Sequence, residues 1–191
     1  MHVTRPTIVC IVLCVSCIVS HMSYQFLDNL SSHLKDAIAR SITLADSYGA
    51  EAVSPLHLFV ALLEEEGSVG AHIIGKFDVP DEMADRVIEE HLSRSGSEKE
   101  MKRTPVKTLP FFNDAAKKIL ERAMLFAYEK SSKYVGTEHL LSGILHANDP
   151  DVASLVAACR IDAKKIAEHA DIAIHGTGKF PNLDEMSGIL E

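Results

Sequence analysis

Apolar residues recur along the chain at three- and four-residue intervals, in runs separated by short polar breaks. That is the spacing of helices which each bury one stripe. Leu27, Leu30, Leu34, Ile38, Ile42 and Ala45 trace the first stripe, and Tyr48-Gly49 closes it, glycine taking the left-handed conformation after a helix most readily. Ser54-Pro55 opens a second helix, with serine as cap and proline at the first helical position, where its missing N–H costs nothing. This helix carries Leu58, Leu62 and Leu63 inward and ends at Glu64-Glu65-Glu66-Gly67. A short third helix is expected from Ser68 to Gly75, and Pro80 begins a fourth with Met83, Val87, Ile88 and His91 along it. Further on, Asn113 caps a helix carrying Ile119, Leu120, Ala123, Met124 and Ala127, and the next covers residues 137–146. Asn148-Asp149-Pro150 starts another, and Asp162 caps a last one that ends near Ile174. No segment reads as a strand.

The two halves of this pattern are copies. Shifted by 82 positions, residues 34–79 fall on 116–161 without a gap. Val53-Ser54-Pro55-Leu56-His57-Leu58-Phe59 then lies over Val135-Gly136-Thr137-Glu138-His139-Leu140-Leu141. Ile38, Arg40, Leu44 and Ala45 meet Leu120, Arg122, Phe126 and Ala127 upstream, while Ile73, Ile74 and Val79 meet Leu155, Val156 and Ile161 downstream. Apolar character kept in phase over such a length marks a duplicated unit. The expected fold is all-α, two tandem four-helix repeats packed with pseudo-two-fold symmetry across a shared apolar interface. The expected organisation is an apolar leader over 1–21 and a double repeat over 22–174, with repeat one at 26–93, a linker at 94–110 and repeat two at 111–174. A tail follows at 175–191. The linker is polar, charged and interrupted by proline and glycine.

Composition narrows the function classes. A formal net charge of −8 and a pI near 5.7 argue against nucleic acid, whose phosphates demand clustered Lys and Arg. Three of the four cysteines lie in the first 20 residues, which leaves Cys159 without a partner for a disulfide and nothing that requires an oxidising compartment. Cys159 reads as a packed small apolar residue. Residues 7–20 form an apolar run too short for a comfortable membrane span, of a length that suits the apolar part of a signal peptide. The rival reading starts the protein at Met22, and the cytoplasmic character of everything beyond favours it. Membrane contact is expected only if residues 7–20 are retained.

The string Tyr134-Val135-Gly136-Thr137-Glu138-His139-Leu140-Leu141, with the helix order and the duplication, resembles the N-terminal repeat domain of the Clp AAA+ unfoldases, most like the ClpC branch. The resemblance covers residues 26 to about 174, and Phe180-Pro181-Asn182-Leu183-Asp184-Glu185-Met186 looks like the linker from such a domain into an ATPase ring. The ATPase rings themselves are absent from this chain. Gly176-Thr177-Gly178-Lys179-Phe180 is not a nucleotide loop, since Ala173 replaces the first glycine and Phe180 the metal-binding hydroxyl. The resemblance implies a non-catalytic module, without cofactor or nucleotide, that binds protein substrates or adaptors and hands them to a Clp unfoldase or protease. It also implies recognition of phosphorylated arginine at Gly136, Thr137 and Glu138, the carboxylate taking the guanidinium and the helix start the phosphate. The first repeat departs from that motif, with Pro55 and Leu56 in place of the Thr and Glu, so at most one such site is expected.

Blander readings stand beside these. His57 and His139, at equivalent places early in equivalent helices, are expected to fix helix starts rather than bind metal, because neither has a second ligand at helical spacing. Glu64-Glu65-Glu66 reads as a solvated helix end, and His169, Asp171 and His175 as solvent-facing residues of a closing helix. Two other functions remain open at this stage: a structural accessory docked on a Clp protease core, and an exported helical protein of unrelated function.

Overall fold

A computed structural model of the chain describes residues 29–77, 88–93 and 111–176. Its first set of helices comprises α1 (Ser32–Ser47), α2 (Pro55–Leu63) and α3 (Val69–Gly75), with residues 88–93 also helical. The second comprises α4 (Asp114–Glu129), α5 (Thr137–Ala147), α6 (Pro150–Ala158) and α7 (Ala163–Gly176). The expected start of a helix at Pro80, the leader, the linker at 94–110 and the segment beyond Gly176 lie outside the described residues.

The duplication carries through to the backbone. Helices α1 and α4 are each 16 residues long and start 82 positions apart, as do α2 and α5. Their caps repeat as well: Ser31 Oγ accepts from the Leu34 N–H at 3.2 Å, and its counterpart Asn113 accepts from the Ala116 N–H at 2.8 Å. Helix α1 ends where Gly49 takes φ +71°, and α4 ends with Ser131, at the same place in the repeat, forced to φ +52°. Asn148, in the left-handed region, terminates α5, and Asp149 caps α6 by accepting from the N–H groups of Asp151 and Val152.

The expectation of no strand needs correcting. Ala52–Val53 (β1) pairs in parallel with Phe111–Phe112 (β2), and Leu30 forms an isolated parallel bridge with Val135. These two pairings are the same pairing seen from either repeat, because Val53 corresponds to Val135 and Leu30 to Phe112. The Asn113 N–H donates to the Val53 carbonyl at 3.0 Å, and the Ser31 N–H donates to the Val135 carbonyl at 3.0 Å. Each repeat therefore lends the extended residues before its second helix to the other repeat. Two residues are too few to show a period of two in sequence, so only tertiary pairing reveals them.

Beside these crossings lie the two most completely buried helices. Every residue from Pro55 to Leu62 of α2 is buried, and so is every residue from Thr137 to Ile144 of α5. Helix α2 is apolar almost all round and so must be enclosed; α5 is enclosed as fully although it carries Thr137, Glu138, His139 and Ser142, and the two form the centre around which the others pack. One continuous core joins Leu34, Phe59 and Leu62 of the first repeat to Ile119, Leu141, Leu155 and Ile166 of the second. Leu92, from the helical residues 88–93, belongs to it too.

Candidate functional site

The sequence directs attention to the start of α5. The bridge to Leu30 holds Val135 extended, and Gly136 continues extended (φ −101°, ψ 179°) into the first turn. His139, three residues on, turns its Nδ1 back to accept from the Gly136 N–H at 3.0 Å. This is a capping box in which imidazole replaces the usual Glu or Gln. An accepting Nδ1 carries no proton, so the ring is the neutral Nε2–H form, with Nε2 3.1 Å from Ser132 Oγ.

That assignment decides the state of Glu138. Its Oε1 lies 3.1 Å from the same Nδ1, but the Nδ1 lone pair already serves Gly136, so the contact is not an ion pair while the cap stands. The carboxylate is mostly enclosed, its side chain 8% exposed, and no other donor pairs with it among the described residues. Glu138 thus presents a narrow acceptor edge at the positive end of a helix, with no cation of its own. Thr137 is placed differently. It is buried, and its Oγ1 accepts from the Gly70 N–H at 3.0 Å, which ties α3 of the first repeat over the start of α5. Only glycine permits this approach: a Cβ on Gly70 would lie 2.9 Å from Leu62 Cδ1 and 3.1 Å from the Thr137 carbonyl oxygen. The structure brings Gly136, Thr137 and Glu138 together at one helix start, with Thr137 facing inward.

The equivalent place in the first repeat has no acceptor edge, because Leu56 occupies it and is buried. His57 keeps the capping role, its Nδ1 accepting from the Ser54 N–H at 3.1 Å and lying 2.8 Å from Ser54 Oγ. Both histidines therefore fix helix starts as the sequence suggested. Their environments differ at one atom. His57 Nε2 is buried without a partner, whereas His139 Nε2 has Ser132, and the residue matching Ser132 is Ala50. Ala50→Ser should supply the missing acceptor and raise the unfolding free energy by about 1 kcal/mol, read by chemical denaturation.

Burial also pushes the His57 pKa down to about 4. The unfolded chain takes up a proton near pH 6.5, the folded protein only near pH 4, so His57 leaves stability unchanged above pH 6.5 and lowers it as pH falls between those values. The loss by pH 4 should be about 3 kcal/mol. His57→Gln, which keeps an acceptor at the capping position, should remove most of that acid slope in denaturation midpoints measured from pH 7 to pH 4.

Other singled-out residues fall into place. Cys159 is free and buried at the end of α6, and burial raises its thiol pKa. His169 and His175 each direct Nδ1 at the carbonyl four residues back, of Lys165 and Asp171. The run Glu64-Glu65-Glu66 is not wholly solvated, because Glu65 turns inward. Its Oε1 lies 2.9 Å from His33 Nδ1 and its Oε2 lies 3.6 Å from Arg40. Among the described residues no helix is long and apolar enough to cross a membrane.

Two helical repeats that pair through the extended residues ahead of their helices define a duplicated, almost wholly α-helical domain. The chain belongs to the Clp repeat (R) N-terminal domain family, whose model matches residues 29–159 and 111–182. It is 24% identical to the chaperone protein ClpB of Mycobacterium leprae over 160 residues, which is 82% of this chain and 18% of that protein. It is 28% identical to the Clp protease ATP-binding subunit ClpC of Staphylococcus epidermidis over 109 residues, 57% of this chain and 12% of that protein. The chain thus spans less than a fifth of the length of either curated relative. Among solved structures, the N-terminal domain of ClpD from Arabidopsis thaliana superposes with a TM-score of 0.62 at 19% identity, covering 81% of this chain and 99% of that one. A ClpV N-domain in complex with a VipB peptide gives a TM-score of 0.55 at 15% identity, covering 78% of this chain and 89% of that one.

Proposed function

We propose that this chain is a non-catalytic protein-binding module of a Clp chaperone or protease system, receiving substrates or adaptors on behalf of an unfoldase. Membership of the Clp repeat family supports the reading, and so does a ClpV N-domain of the same fold solved with a VipB peptide. Within it, the start of α5 contacts the partner, and the ligand it fits is a guanidinium, phosphorylated arginine in particular. The observation that carries this is Glu138, a largely enclosed carboxylate at a helix start that no donor among the described residues satisfies. Gly136 leaves the edge uncovered, because a Cβ there would run into the Glu138 carboxylate. Thr137 holds α3 in place above it.

Affinity capture tests the module reading. Immobilised chain should retain adaptors or damaged substrates of the unfoldase. Recovery of protease subunits alone would favour a structural accessory docked on the protease core, and recovery of neither would overturn the reading.

A further inference from the structure

At the start of α5, one ring nitrogen has two neighbours that need it in opposite states. The Gly136 N–H donates to His139 Nδ1 at 3.0 Å, and Glu138 Oε1 lies 3.1 Å from the same atom. The N–H needs an unprotonated Nδ1, whereas an ionised carboxylate can only accept and so needs a proton there. In the neutral ring the carboxylate oxygen therefore faces a lone pair at hydrogen-bond distance and gains nothing from it. A proton taken up from water by Nδ1 reverses both contacts. Nδ1–H becomes a charge-assisted donor to Glu138, and the Gly136 N–H is left facing another donor.

The surroundings leave this exchange to the pair itself. The His139 side chain is 1% exposed and that of Glu138 8%, so solvent screens their attraction little. Burial and the positive helix start both oppose a charged ring, and the adjoining carboxylate offsets them. On the far side, Nε2 lies 3.1 Å from Ser132 Oγ, which accepts from an Nε2–H in either state, so that contact need not change. Helices α1, α2, α3, α4 and α7 all pack against α5. Among the described residues none of them brings a charged or titratable side chain within ion-pair reach of the ring, which leaves Glu138 as its charged neighbour. The first repeat lacks the second state. His57 accepts from the Ser54 N–H in the same way, but Leu56 stands where Glu138 does, so a proton on His57 Nδ1 would find the Ser54 hydroxyl and no carboxylate.

We propose that His139 is an acid-operated switch on Glu138: a proton on Nδ1 transfers the ring from the Gly136 N–H to the Glu138 carboxylate, which is then satisfied from within the chain. With the ring neutral, Glu138 is open to a guanidinium; with the ring protonated, it is held by its own neighbour. The consequence for binding rests on the proposed reading of Glu138 as a guanidinium acceptor, whereas the change of partner does not.

Nuclear magnetic resonance on the whole chain reads the switch without a ligand. As pH falls from about 7.5 to about 5.5, the His139 ring nitrogens should pass from the Nε2–H form to imidazolium, and the Gly136 amide should lose its exchange protection with the same midpoint. In Glu138→Gln, whose amide cannot pair with the charge, that midpoint should lie about 1 pH unit lower. The Ser54 amide, capped by His57, should not respond to this substitution. Agmatine then serves as a guanidinium probe. Native affinity should fall roughly tenfold over the same range, while His139→Gln, which keeps a capping acceptor and takes no proton, should show no such fall. A ring that takes up no proton before the fold is lost, a Gly136 amide still protected once the ring is charged, or a midpoint that Glu138→Gln does not lower would each overturn the proposal. So would agmatine binding equally tightly at both pH values in the native chain, or weakening as much in His139→Gln. If the change of partner is seen but agmatine does not bind the native chain at either pH, the switch stands and the reading of Glu138 as a guanidinium acceptor falls.

Discussion

Truncating Phe59 to alanine is expected to lower the unfolding free energy by about 3–5 kcal/mol, a large part of what a domain of this size possesses. Phe59 is 1% exposed and sits on α2, the helix enclosed on every side. Removing the ring forfeits its transfer free energy and leaves a hole in the core that the two repeats share. The counterpart of Phe59 is Leu141 on α5, which is fully buried. Leu141→Ala should cost about 2–5 kcal/mol. Because the core runs unbroken across both repeats, each variant should shift one shared denaturation transition. A biphasic curve, in which only the mutated repeat melts early, would show two separate cores.

The second large effect concerns binding. Glu138→Leu copies the residue that the first repeat carries at this position, so the fold should tolerate it. It removes the carboxylate that the proposed site offers to a guanidinium. A charge-assisted pair of this kind contributes about 1.5–3 kcal/mol, so affinity for a phosphoarginine peptide should fall roughly 10- to 150-fold, measured by calorimetry. Glu138→Ala should behave alike. Undiminished affinity in both variants, with native circular dichroism, would remove Glu138 from the site.

Much of the fold could be read from the chain because its signals are local. Ser54-Pro55, Asn113 and Asp162 announced helix starts to the residue, each through a short side chain or ring suited to one backbone position. The offset of 82 predicted which elements correspond. What stayed hidden depends on residues far apart in sequence. The pairing of Val53 with Phe112 involves strands of two residues, and the bond from Gly70 to Thr137 joins different repeats. Glu65 looked solvated within an acidic run, and only the position of His33 and Arg40 turns it inward. The capping role of the two histidines was legible from their matching positions. The difference between them was not, because it lies in Ala50 against Ser132, seven residues upstream and close only in space.

Hydrogen exchange at the crossings tests the central claim most directly. The Asn113 N–H is held by the Val53 carbonyl of repeat one and the Ser31 N–H by the Val135 carbonyl of repeat two, so each amide depends on both repeats, and parting them frees both together. In native-state exchange against increasing denaturant, both should open only with the whole domain, at one common free energy equal to that of global unfolding. Exchange of Asn113 through a cheaper opening, while Ser31 remains protected to the global limit, would mean that the repeats fold as neighbours and not as one interlocked unit.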